Sequence, residues 1–347
     1  MTQNALLTVA IPTYNRSETL EKILLQLAEE KGELFQILVS DDSSSDGTET
    51  MVRRYQERLP RLIYHKNEVN LGYSGNVNKI YELSQTPYVW FLCDDDTVLP
   101  GAIQKIIDAI RKYQPVVAVF NYSWVDPYGR KSLAVAERDV VHTNLSRLDD
   151  YQPLMRITFL STLVVKKNEA VKNIGKTVYQ DNVFFQLTLS LLLLSKEFKY
   201  CEIGGPIVHR NVGYKYGEFF KFYLVDVLKA VFSVEHAFDN KKFIQRMVRE
   251  LPNGLRLYVS QKLGLFSYRQ EPTPDTLDKI RLYYGPYKYF IYAFKYIKWG
   301  APTVLLKAIY IVQLISIHGL KKGLAVYRQN INRAFTDQRK TEFMNYK

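Results

Sequence analysis

Alternation is the feature that most limits what this chain can become. Through the first hundred residues, short apolar runs take turns with segments whose apolar positions recur every three to four residues. Leu6-Leu7-Thr8-Val9-Ala10-Ile11 is a continuous run that Pro12-Thr13-Tyr14-Asn15-Arg16 breaks. Leu20, Ile23, Leu24 and Leu27 then mark one face of a helix capped at Ser17 or Glu18. Phe35 to Ser40, Leu62 to His65 and Val89 to Cys93 repeat the strand pattern. Between them fall a helix with Met51, Val52 and Tyr55, and another from about Val77 to Leu83. Strands that are apolar throughout are covered on both faces, so the pattern predicts an α/β fold: a mainly parallel sheet with helices on both sides.

Two of these runs end in acid. Val89-Trp90-Phe91-Leu92-Cys93 passes directly into Asp94-Asp95-Asp96, and the Phe35 run passes into Asp41-Asp42-Ser43-Ser44-Ser45-Asp46-Gly47. In an open α/β sheet the C-terminal strand ends line the ligand crevice. Three adjacent anions repel one another unless a cation neutralises them, and a hard divalent ion with oxygen ligands suits them. Taken alone, the triplet also reads as a solvated turn capping the helix near Gly101, and Asp41-Asp42 as an Asx turn and helix cap. Acid on neighbouring strand tips favours one shared site instead. No glycine-rich dinucleotide fingerprint or P-loop is present.

The successive motifs Ile11-Pro12-Thr13-Tyr14-Asn15-Arg16, Val39-Ser40-Asp41-Asp42 with its serine-rich turn, Asn70-Leu71-Gly72, and Phe91-Leu92-Cys93-Asp94-Asp95-Asp96 with Pro100 resemble those of family 2 glycosyltransferases. The resemblance covers roughly residues 5 to 215 and implies a GT-A, Rossmann-like fold. It implies that Pro12, Tyr14 and Arg16 border the nucleotide base, that Asp42 accepts a hydrogen bond from N3 of uracil or thymine, and that Asn70 and Gly72 belong to the same binding region. Asp94 would face the ribose. Asp95, with Asp96, would hold Mn2+ or Mg2+ on the diphosphate, and His209 and Arg210 at another strand end lie where relatives carry residues near that metal. Ser74-Gly75-Asn76 stands where many relatives have an arginine facing the diphosphate. Asp181, in Gln180-Asp181-Asn182-Val183-Phe184-Phe185, resembles the catalytic position, a base for the acceptor hydroxyl. Phe159 to Val165 resembles the strand that floors the acceptor site.

Further along, a helix with Ile103, Ile106, Ile107 and Ile110 leads to a buried strand at Val116 to Phe120, and Asp126-Pro127-Tyr128-Gly129 makes a turn. Residues 130 to 155 read as a variable loop and Leu187 to Leu194 as a core helix. After about Tyr214 the alternation stops, which divides the chain into an expected catalytic domain, 1–213, and a mostly helical region, 214–347. Tyr287 to Trp299 interleaves seven aromatic residues with Lys288, Lys295 and Lys298, and from Arg281 onward twelve Lys or Arg face only Asp337 and Glu342. That leaves a net of +10 out of +12 for the chain. Rings that sink beside ammonium groups that stay wet suit an anionic membrane surface. Ala301 to Leu320 approaches a bilayer's length, but Lys307, Gln313 and His318 interrupt it, so an interfacial or packed helix is expected.

The apolar run at Ala5 to Ile11 lacks a basic leader and is stopped by Pro12, so no signal peptide is expected. Cys93 and Cys201 lack metal-type spacing and fit a reducing compartment. The resulting expectation is a cytoplasmic, metal-dependent, inverting transferase peripheral to the inner membrane face. It would take a UDP- or dTDP-sugar donor and a glycan acceptor, carried on a lipid diphosphate in bacterial surface polysaccharide synthesis. A homo-oligomer is compatible with this reading, and no nucleic-acid partner is expected. The competing readings are a nucleotidyltransferase of similar fold and a non-enzymatic membrane-surface module binding glycan or RNA.

Overall fold

The computed structural model of the chain describes residues 5–125, 131–134, 138–144, 156–171, 182–210 and 226–234. Chain contacts divide it into two compact units, residues 1–215 with 229–244, and residues 216–228 with 245–347. The first unit carries nearly all of the described structure. The expectations for Asp126 to Gly129, for Asp181 and for the aromatic, basic C-terminal stretch lie outside the described residues.

The strand–helix alternation is present from the start. β1 (Leu7–Thr13), α1 (Ser17–Glu29), β2 (Phe35–Asp41), α2 (Thr48–Gln56), β3 (Leu62–Lys66), α3 (Gly72–Leu83) and β4 (Tyr88–Phe91) follow one another in the chain. β1 pairs in parallel with both β2 and β4, and β2 with β3. Next come β5 (Thr97–Val98), α4 (Ala102–Tyr113), β6 (Val117–Val125), β7 (Lys131–Ala134), β8 (Val140–His142), β9 (Leu163–Lys166), α5 (Phe185–Lys196), β10 (Tyr200–Arg210) and α6 (Val227–Phe232). The ten strands form one sheet in the order β3-β2-β1-β4-β9-β6-β10-β5, with β7 beside β6 and β8 beside β10. β9 runs antiparallel to β4 and β6, while β10 runs parallel to β6.

This order has a functional consequence. The chain moves outward from β1 to β2 and β3, then crosses back to β4 on the other side of β1. The crevice beyond the C-terminal ends of β1 and β4 is therefore the topological switch point, the place where open sheets bind ligands.

Burial explains the apolar runs. Leu7, Val9, Ile11, Phe35, Ile37 and Val39 are fully buried in one cluster with Leu20, Ile23, Leu24 and Leu27 of α1. Thr8, polar but equally buried, is satisfied by the Thr86 hydroxyl at 2.7 Å and by Gln36 Nε2, which donates to it at 3.1 Å. α5 is buried on nearly every side: Leu187, Leu189, Leu191, Leu193 and Leu194 are joined in the interior by Gln186, Thr188 and Ser190, whose polar groups bond to the Thr158 carbonyl, Asn182 and the Gln186 carbonyl.

Three local expectations need correction. α3 begins at Gly72 rather than Val77. Its early turn is built from polar residues that are buried, Ser74, Asn76 and Asn78, so apolar periodicity underestimates its length. The Phe159 to Val165 strand is only half a strand: Leu160–Thr162 is a 3-10 turn and β9 starts at Leu163. Trp90 Nε1 donates to the Ser161 carbonyl at 2.9 Å and Thr162 Oγ1 to the Phe159 carbonyl at 2.9 Å, and these bonds take the place of a ladder. The expected loop over 130–155 contains β7 and β8.

Candidate active site

Thr13 joins the two acidic strand tips. The register of β1 on β2 sets Thr13 opposite Asp41, and the Asp42 N–H donates to the Thr13 carbonyl at 2.9 Å. From the same residue, the Thr13 hydroxyl donates to Asp94 Oδ2 at 2.7 Å. The turn after Thr13 is stitched to the second loop as well. Asn15, at φ +51°, donates its N–H to Ser44 Oγ at 2.8 Å, and its Oδ1 accepts from the Ser45 N–H at 2.9 Å. Sequence reasoning passed over Thr13, because nothing local distinguishes a hydroxyl whose partner lies 81 positions away.

Within the second loop the carboxylates divide their work. Asp41 is structural, accepting from the Ser44 N–H at 2.8 Å and the Tyr64 hydroxyl at 2.6 Å. Asp46 accepts from the backbone of Ser17 and Thr48. Asp42 Oδ1 accepts from Asn67 Nδ2 at 2.9 Å and from the Leu71 N–H at 2.8 Å, which fixes its plane. Its support is a buried amide network: Asn76 Oδ1 accepts from the Ser40 hydroxyl at 2.6 Å and from Asn67 Nδ2 at 3.1 Å, and Asn76 Nδ2 donates to the Ser40 carbonyl at 2.9 Å. Asn70 Oδ1 accepts the Gly72 N–H at 2.8 Å, and Gly72 itself has φ +74°, a conformation natural to glycine. Tyr14 is 48% exposed, so its ring is open to a ligand. Pro12 lies on β1 opposite Ser40.

At the first acidic tip, Arg16 Nη1 donates to Asp94 Oδ1 at 2.8 Å and to Asp95 Oδ2 at 2.9 Å. Burial works against the guanidinium charge, but Asp94 and Asp95 more than offset it, and its pKa is raised. Asp94 is almost fully buried. Desolvation raises its pKa above the usual carboxylate range despite the opposing influence of Arg16 and Thr13. Asp96 accepts a short hydrogen bond from the Ser161 hydroxyl, and Ser161 Oγ accepts the Cys93 N–H at 3.0 Å. One ligand atom from each of Cys93, Asp95 and Asp96 lies within 4.8 Å of the others, the one group of this kind among the described residues. Those donors fit a divalent cation. Asp94, held by Thr13 and Arg16, and His209 are not part of that group. The His209 ring meets Ser123 Oγ at 3.0 Å, and its backbone pairs with Thr97 of β5. Arg210 lies one residue on and stacks its guanidinium over Phe159 at 5.3 Å.

Tyr73, on the first turn of α3, also went unrecognised in the sequence. The residue is half exposed, yet desolvation of the hydroxyl, with the nearby carboxylates Asp94 to Asp96 acting in the same direction, pushes the phenol pKa up. Next to it, the Ser74 hydroxyl donates to the Asn182 carbonyl, which ties α3 to the residue that follows Asp181 in the chain.

A mainly parallel sheet carrying two acidic tips at its switch point defines a GT-A-like α/β domain. Residues 8–164 match the model of glycosyl transferase family 2, and the chain carries a family 2 glycosyltransferase domain. Over 102 residues it is 35% identical to the GalNAc(5)-diNAcBac-PP-undecaprenol beta-1,3-glucosyltransferase of Campylobacter jejuni, a match covering 29% of this chain and 33% of that one. The chain spans less than half the length of the curated relatives it matches most strongly. Residues 1–349 of S. aureus TarS in complex with UDP share its fold, with a TM-score of 0.60 at 16% identity over 93% of this chain and 91% of that one. So does the mannosyltransferase PcManGT from Pyrobaculum calidifontis in complex with GDP-Man and Mn2+, with a TM-score of 0.51 at 13% identity over 92% and 88%.

Proposed function

We propose that this protein is a metal-dependent, inverting glycosyltransferase that moves a sugar from a UDP- or dTDP-linked donor to a hydroxyl of a glycan acceptor. The observation that carries this reading is Thr13, whose carbonyl and hydroxyl bind the Asp42 and Asp94 loops into one crevice. Asp42, with its plane fixed by Asn67 and Leu71, presents a carboxylate to a base N–H beside the exposed Tyr14 ring. Asp94 accepts from the ribose, and Asp95 and Asp96 hold the cation.

Transfer breaks the bond between the anomeric carbon and the donor's phosphate oxygen, and forms a bond from that carbon to the acceptor oxygen on the opposite face. The acceptor's proton passes to the Asp181 carboxylate, and the electron pair of the broken bond leaves on the diphosphate. A divalent ion held by Asp95 and Asp96 would supply Lewis-acid neutralisation of that departing charge. Arg16, already paired with both Asp94 and Asp95, contributes a second positive charge on the same side. Ser74 fixes the backbone just after Asp181.

The Campylobacter relative is named for an acceptor on a PP-undecaprenol carrier. A carrier of that kind suits the basic, aromatic stretch after Arg281 and supports action at the cytoplasmic face of the membrane, on surface polysaccharide. Among the described residues no helix is long and apolar enough to cross a membrane.

Calorimetric titration with UDP, dTDP, CDP and GDP, each in Mn2+ and in EDTA, tests the reading. Metal-dependent binding of UDP or dTDP is the expected result. Failure of every nucleotide to bind would overturn it.

A further inference from the structure

Asp42 is held by side-chain amides whose orientation follows from their neighbours alone. Asn76 Nδ2 lies 2.9 Å from the Ser40 carbonyl and 3.4 Å from the Thr13 carbonyl. Carbonyls only accept, so that atom is the amide nitrogen, and the atom facing the Ser40 hydroxyl at 2.6 Å is the oxygen. Asn67 is fixed in the same way. The end of its amide that lies 2.9 Å from Asp42 Oδ1 and 3.1 Å from Asn76 Oδ1 meets two acceptors and is the nitrogen. Asn67 Oδ1 therefore faces His65 Nε2 at 3.2 Å, and because an amide oxygen only accepts, His65 carries a proton on Nε2.

Neither amide can turn over. Rotating Asn76 would set its oxygen against two carbonyls, and rotating Asn67 would set its oxygen against Asp42 Oδ1 and Asn76 Oδ1. Asp42, Asn67 and Asn76 are all nearly fully buried, so bulk water does not replace a partner lost there. The result is a one-directional chain from the His65 N–H through Asn67 to Asp42. Both Asn67 side-chain N–H groups and the Leu71 N–H are taken up by acceptors within it. Asp42 Oδ2 accepts no hydrogen bond from any described residue, so at this point the network presents lone pairs and no N–H.

We propose that His65 and Asn67 are positioning residues that keep Asp42 an acceptor-only reader of the donor's base. Uracil and thymine carry a proton at N3 and fit it, whereas cytosine N3 carries a lone pair that opposes the carboxylate. The inference rests on the reading of the Asp42 crevice as the donor site and names the residues that set its choice of base. Without the His65 proton, Asn67 Oδ1 loses its one donor among the described residues. The amide then turns from Asp42, and an N–H it frees meets cytosine N3.

Calorimetric titration of the full chain with UDP, dTDP and CDP in Mn2+ tests this in wild type, His65→Gln and His65→Phe. His65→Gln keeps an N–H near the Nε2 position and should hold the wild-type preference for UDP or dTDP over CDP. His65→Phe keeps a ring without the donor, and the preference should narrow about fivefold or more. Asn67→Leu should narrow it further, and the His65 pair decides the matter if that variant does not fold. A purely structural role predicts that His65→Phe weakens all three nucleotides together with their ratios unchanged, and that result would overturn the proposal. So would a preference lost equally in His65→Gln, or a histidine 15N spectrum that places the His65 proton on Nδ1 alone. UDP or dTDP binding by wild type would leave the donor-site reading standing in each of those cases. Wild type that binds neither overturns that reading, and this proposal with it.

Discussion

Thr13 carries more of the site than its size suggests. Its side chain is buried and its hydroxyl satisfies one oxygen of Asp94, itself buried. Thr13→Val keeps the shape and removes the donor, leaving that oxygen unsatisfied at a cost of about 1–3 kcal/mol. UDP affinity should fall roughly tenfold or more for that loss, measured by calorimetry, while Thr13→Ser should retain most of it. Which residues could be found in the sequence follows from the range of their interactions. Asp42 and Asp94 to Asp96 stand in local patterns, at the ends of apolar runs, and were read directly. Thr13, Asn67, Asn76 and Ser161 act through partners 9 to 81 positions away and leave no local pattern to read. Even within Asp41-Asp42 the division between a carboxylate held by Ser44 and Tyr64 and one held by Asn67 and Leu71 came only from the fold.

Among elements, the strands of the first half were legible because each is buried on both faces, and that leaves an unbroken apolar run. β8 was not. Val140 and Val141 are exposed and the strand is three residues long, so its placement depends on polar contacts. Asp139 accepts from the Tyr113 hydroxyl at 2.7 Å and from the Gly204 N–H at 2.9 Å, and His142 meets Glu202 at 3.3 Å. Arg156 already neutralises Glu202, so a proton on His142 finds no unpaired anion. Burial, and secondarily the Arg156 charge, lower the His142 pKa below its ordinary 6.5. Between that lowered value and 6.5 the unfolded chain binds a proton that the folded chain does not, so stability falls as pH drops through this window. Denaturant titrations should show that acid slope in wild type, and His142→Gln should flatten it.

For the whole molecule, residues 229–244 group with the first compact unit after the chain has left it at residue 215. Ala230 and Val234 are buried, and Thr188 Oγ1 reaches the Ala230 carbonyl at 3.5 Å and Ser233 Oγ at 3.4 Å. Helical periodicity after Tyr214 gave no hint of this return, since it reports the face a helix buries and not the unit it joins. A chain ended at residue 244 should keep the stability of the first unit. One ended at 215 should lose about 3 kcal/mol of apolar burial, read as a lower denaturant midpoint. Arg16 bears on the molecule's dependence on its surroundings. Its guanidinium supplies a counter-charge to Asp94 and Asp95 from within the chain, so the acidic tip need not wait for a cation to take its shape. Metal-dependent folds that lack such a partner collapse in chelator; here the circular-dichroism spectrum and the thermal midpoint of the first unit should be the same in EDTA as in Mn2+. On the metal-dependent reading proposed above, a cell short of divalent metal would hold an idle but intact protein, ready to resume work when supply returns without having to be made again.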